Sequence, residues 1–117
     1  MAISAPYEFT ATLSGVELSM TNNSATIAAL AVAGVFQAFV DFGIAAAGDS
    51  FLVTIYEKAL SATTQRRVQT FTISAAAALA NPLWCSPSLV LLRGYDFTIL
   101  QTAGTYRSVS WSIRQVA

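Results

Sequence analysis

Six carboxylates, Glu8, Glu17, Asp41, Asp49, Glu57 and Asp96, carry whatever acid–base chemistry this chain could perform. Glycoside cleavage needs two carboxyl groups held across a cleft, and no spacing here marks such a pair. Asp49 follows Gly48 and Asp96 follows Gly94-Tyr95, where aspartate ordinarily serves turn geometry. Glu57-Lys58 reads as a solvated strand end. The chain has no histidine, which removes the Ser–His and Cys–His nucleophile pairs and the common zinc sites. Cys85 is the one cysteine, so no internal disulfide forms, and it is expected as a small buried hydrophobe. There is no phosphate-binding glycine loop, metal-ligand spacing or nucleophile elbow. These residues predict a protein that is not an enzyme, with no catalytic residue, cofactor or metal.

The aromatic residues are the other candidates. Trp84, Tyr95, Tyr106 and Trp111 could line a sugar site. Trp111 falls in the inward register of an alternating strand, which makes it core. Trp84, held between Pro82 and Pro87, is the better contact residue, since tryptophan is enriched as an interface anchor.

Composition narrows the partners. Only 10% of residues are charged, against about 25% in an ordinary soluble domain. The surface must therefore be Ser, Thr, Gln, Asn and Ala plus exposed apolar area, which suits a subunit that hides itself against neighbours. Net charge is zero, so the basic footprint of a nucleic-acid binder is missing. Arg66-Arg67 is the one basic pair and reads as a solvated strand end. Leu18 to Val40 contains no charge. Its apolar part, Thr26 to Val40, is about 15 residues, shorter than a spanning helix requires, and no membrane span is expected. The first six residues lack a basic and an apolar region, so no secretory signal is expected.

The elements that position these residues read as strands. Tyr7 to Leu13 alternates, with Tyr7, Phe9, Ala11 and Leu13 on one face. Val16, Leu18 and Met20 alternate inward after a turn at Ser14-Gly15. Thr21 to Ser24 is a turn cluster, and Ala25 to Ala33 a loop or short strand, with a short helix as the alternative. Val35–Phe42 and Phe51–Leu60 read as a central hairpin around a loop closing on Gly48-Asp49-Ser50. Its first arm is apolar on both faces, as in a strand set mid-sandwich or under a partner. Arg66 to Ile73 is a strand, and Ser74 to Ala80 a helical turn or loop stopped by Pro82. Leu83 to Ser86 suits an edge or connector. Ser88 to Leu92 reads as a buried strand. Tyr95–Gln101 and Arg107–Arg114 close the chain as a hairpin around Thr102-Ala103-Gly104-Thr105. Val109, Trp111 and Ile113 point inward.

About eight short strands with frequent turn signals predict an all-β fold, an antiparallel β-sandwich or jelly-roll-like barrel. It forms a single domain, 1–117, with a short N-terminal arm, 1–6.

Several segments carry a family resemblance: Gly34 to Asp41, Ile55 to Lys58, Trp84-Cys85-Ser86-Pro87-Ser88-Leu89, Gln101 to Thr105, and Trp111 to Ala117. They look like small virion proteins of tailed bacteriophages, which resemble capsid decoration (cement) proteins in size and in lacking catalytic residues. The resemblance covers most of the chain from Gly34 onward. It implies a homo-oligomeric structural subunit on the capsid surface, a trimer among the options. Such a subunit clamps the lattice of the major capsid protein, and multivalency makes modest contacts hold collectively. Exposure logic places the contacts on the arm (Ile3, Pro6, Tyr7), on the alanine-rich segment (Ile27, Leu30) and at Trp84. A tail or head-fibre component, or a carbohydrate-binding sandwich using Trp84 and Tyr106, are the alternatives.

Overall fold

The computed structural model describes residues 3–116. Its strands are β1 (Ser4–Thr12), β2 (Leu18–Ser19), β3 (Gly34–Asp41), β4 (Ser50–Glu57), β5 (Arg66–Ser74), β6 (Leu83–Cys85), β7 (Leu89–Leu91), β8 (Asp96–Ala103) and β9 (Ser108–Gln115). One short helix, α1 (Ala75–Ala80), follows β5. Ser74 caps it by accepting from the Ala77 amide, the role serine favours at a helix start. The fold is an all-β sandwich of two antiparallel sheets. One runs β1-β9-β3, with β6 and β7 along the far side of β3, and the other runs β2-β8-β4-β5. Taking β6 and β7 as one broken edge strand, this is the strand order of a double-Greek-key jelly roll.

The central hairpin does not form. β3 and β4 lie in different sheets, and the connection at 42–49 crosses from one to the other. Both strands carry a continuous apolar face: Phe36, Ala38, Val40 and then Phe42 on one side, Phe51, Val53 and Ile55 on the other. Side by side, those faces would point the same way and each would still need a cover. Opposed across the sandwich they cover each other, and Phe42 meets Phe51 at 4.6 Å between ring centroids. The expected β8–β9 hairpin is replaced in the same way. Its loop turns a corner between the sheets, and the Gln101 side chain shapes it by donating to the Ala103 and Thr105 carbonyls and accepting from the Arg107 amide.

The two crossings meet at one end of the sandwich, where Asp49 forms a 2.8 Å ion pair with Arg107 and accepts from the Ala46 amide. The Arg107 guanidinium beside it holds the Asp49 carboxyl below its usual value. The opposite end is tied by Gln65, whose side chain donates to the carbonyls of Ala28 and Gly94, and by Tyr95, whose hydroxyl donates to the Val32 carbonyl. Burial pushes the Tyr95 phenol up to about 12. The core between the sheets includes Phe97, Ile99, Val109, Trp111 and Ile113, in the register their alternation predicts. Trp111 Nε1 donates to the Met20 carbonyl at 2.8 Å.

Other expectations change at the edges. The strand begins at Ser4, so Ser4 to Pro6 belong to β1 and are not an arm; Met1 and Ala2 lie outside the described residues. Val16 is exposed, because only Leu18 and Ser19 pair with β8. Ser88 to Leu92 is not buried. β7 is an edge strand in which Leu91 points in and Val90 is 80% exposed. Cys85 is exposed as well, because Trp84 takes the inward position of β6. Between β6 and β7 the pairing slips by one residue, from Phe39↔Cys85 to Phe36↔Leu89. Ser86 bridges the break: its amide donates to the Ala38 carbonyl and its hydroxyl accepts from the Ala38 amide. Pro87, which has no amide hydrogen to offer, sits in the bulge, where proline is tolerated.

Candidate interaction surface

The pairing of β1, β9, β3 and β7 sets four residues in one row across the outer face of the larger sheet. Ser4 pairs with Gln115, which brings Ile3 to Val116; the Val116 amide donates to the Val35 carbonyl; and Val35 pairs with Val90. All four are β-branched and apolar, and they face away from the core. Ile3 and Val90 are exposed and Val35 and Val116 half-buried. Val32 and Leu92, also exposed, lie at the same end of the sandwich. No charged residue interrupts the row.

Next along the face, the Arg114 guanidinium stacks over the Phe39 ring at 3.8 Å, covering the one large aromatic ring that points outward there. Beyond it lie Ser112, Ser110 and Ser108 with Thr10, Thr12 and Asp41. The Thr10 and Ser110 hydroxyls bond each other at 2.8 Å, so this part of the face satisfies itself. An exposed apolar row on the outer face of a sheet is suited to contact with another protein surface.

The residues singled out as contacts separate in the structure. Ile3 lies in the row, and Pro6 is exposed nearby in the β1 bulge opposite β9. Tyr7 points to the core side and is half-buried. Ile27 is half-buried in the β2–β3 connection, and Leu30 pairs with Tyr95 and packs on the core. Trp84 packs against Phe71 at 5.3 Å between ring centroids, on the inner side of the edge strand, so it is not an open contact residue. Val35, Val90 and Val116 escaped the sequence reading. The β3 outer face was legible as apolar on both sides, but in Leu89 to Leu92 every residue is apolar, and no alternation shows which side faces out.

Two acidic residues have roles that turn geometry does not describe. Asp96 is fully buried and accepts from the Thr21 hydroxyl, the Phe97 amide and the Ala28 amide. Glu17 accepts from the Tyr56 hydroxyl at 2.6 Å and from the Thr98 hydroxyl at 2.5 Å. Burial, aided by Glu17, raises the Tyr56 phenol above its usual value. In both cases the carboxylate is occupied by structural donors, although Glu17 also borders a shallow cleft with Leu52, Thr54, Arg67, Thr70 and Leu100. Among the described residues, no group of three or more His, Cys, Asp or Glu side chains is placed to hold a metal. No helix is long and apolar enough to cross a membrane. No family model, curated protein or solved structure matches the chain.

Proposed function

We propose that this chain is a non-enzymatic structural subunit of a virion, a capsid decoration protein that binds the outer surface of the major capsid protein lattice and stabilises the head. The observation that supports this most is the uninterrupted row Ile3–Val116–Val35–Val90 on the outer face of a sheet. The resemblance of the segments from Gly34 onward to small virion proteins of tailed phages agrees with it. With Val35 and Val116 already half-buried, covering the row is worth roughly 4–5 kcal/mol at about 1.5 kcal/mol per fully exposed side chain. Association costs are of the same size. One subunit alone therefore binds weakly, and a repeating lattice or a homo-oligomer turns weak contacts into stable occupancy.

The test adds the purified protein to heads that lack it and images the particles by electron cryomicroscopy. Density at copy numbers matching the icosahedral shell is the expected result. A V35D/V90D variant that keeps the far-ultraviolet spectrum of the parent should leave the shell bare. Density on a tail or fibre, or undiminished shell occupancy by the variant, overturns the proposal.

A further inference from the structure

Three of the chain's six basic side chains, Lys58, Arg66 and Arg67, line a single cleft of about 420 Å³ between the β4–β5 connection and the start of β5. Ala59, Thr63, Thr64 and Val68 add to its wall. Its one lining carboxylate, Glu57, points its Oε1 at the Leu92 and Arg93 amides, at 2.7 and 3.4 Å, and is occupied by them. Among the described residues the ion pair Arg107–Asp49 stands alone, at the other end of the sandwich, so none of the three cations has a carboxylate at ion-pairing distance. Arg67 rests against the Tyr56 hydroxyl, which raises its already high pKa. Glu57 in the same wall and Glu17 behind the Tyr56 hydroxyl offset part of this positive charge, and the cleft keeps an excess of cations over its one lining carboxylate.

The cleft is also held in shape. Gln65, next to Arg66 in the chain, anchors the end of the β4–β5 connection by bonding the carbonyls of Ala28 at 2.6 Å and Gly94 at 2.7 Å. Thr63 closes the connection on Leu60, donating to its carbonyl and accepting from its amide. The Lys58 alkyl chain lies on Gly94, where a Cβ would come within 2.6 Å of it, so the absent side chain makes room for the lysine stem. Ammonium and guanidinium groups on a shaped wall bind oxyanions by charge-assisted hydrogen bonds. Three cations in one concavity do not form the extended stripe that a nucleic acid needs. A cleft of this volume suits a small molecule.

We infer that this cleft is a binding site for a compact oxyanion: a phosphate or carboxylate group borne by a molecule of about monosaccharide size. The site is separate from the apolar row and stands whether or not the chain decorates a capsid. The test is an amide chemical-shift titration of the full chain at low ionic strength, with inorganic phosphate in one arm and glucuronate in the other. Saturable shifts confined to Lys58 through Val68 are expected. R66Q and K58Q should each weaken binding about tenfold, the loss of one charge-assisted hydrogen bond, with the melting temperature unchanged. Tighter saturation by phosphate assigns the natural ligand to a phosphoryl group, and tighter saturation by glucuronate assigns it to a carboxylate. Shifts that grow linearly and spread over the surface in both arms, or saturable binding that survives both substitutions intact, overturn the inference.

Discussion

Asp96 has both carboxylate oxygens occupied by three donors in a site closed to water, with no cation beside it. An asparagine has the same shape but offers only one acceptor oxygen. The Ala28 amide or the Thr21 hydroxyl must then face an NH₂ group, and a buried donor without an acceptor is expensive. D96N is therefore expected to lower stability by about 2 kcal/mol, measured by urea denaturation, while V90S on the exposed row stays within about 0.5 kcal/mol of the parent. Equal effects of the two substitutions would mean that Asp96 contributes no more to the fold than an exposed contact residue does. The sequence marked Asp96 as an acid beside a glycine turn. It could not show that Thr21 and Ala28, far back in the chain, come round to cap it.

Among the elements, the sheet-crossing connections decide the topology. The β8–β9 corner passes so close to the β3–β4 crossing that a Cβ on Gly104 would lie 2.0 Å from Asp49 Oδ1 and 2.8 Å from Asp49 Cα. The second contact is with backbone and cannot be relieved by a rotamer change. Gly104 also has φ +90, which other residues adopt only with strain. G104A should cost about 3 kcal/mol, read as a fall in the thermal midpoint together with loss of the Arg107–Asp49 contact in a crystal structure of the variant. An alanine tolerated without loss would mean that the corner has slack the packing does not show. The strands themselves were legible wherever one face was polar. Val109, Trp111 and Ile113, set between serines, gave β9 its inward face in advance, and all three are buried. β7 was misread for the opposite reason, and β6 hid an exposed cysteine because its three residues are too short a stretch for period two to be decisive.

For the molecule as a whole, one ion pair joins the two crossings, and its consequence is a pH dependence of global stability. The folded Asp49 carboxyl titrates below 3.8, its ordinary value, because Arg107 bonds it and the Ala46 amide supports it. A depressed folded pKa stabilises the folded state fully above the unfolded value of about 3.9, and that contribution is lost as pH falls through the lower folded value. D49N should therefore melt below the parent at neutral pH, with the gap closing as pH drops beneath 3.8. Calorimetry across that range checks it, and a gap independent of pH would assign the loss to packing rather than charge. The apolar row and the cationic cleft share the opposite end of the sandwich, where Tyr95, Gln65 and the Val32 carbonyl hold the connections.

The sequence by itself determined the class of fold, most strand positions, the inward residues of the alternating strands, and the scarcity of charge. These follow from local periodicity and composition, which neighbouring residues express without help from distant ones. Only the tertiary structure decided which strands share a sheet. Two apolar faces adjacent in sequence are buried equally well as neighbours under a third layer or as opposite walls of one core. In this chain Phe42 against Phe51, and Asp49 against Arg107, select the second arrangement. That choice lined up Ile3, Val116, Val35 and Val90 on one outer row, from four segments no local pattern connects.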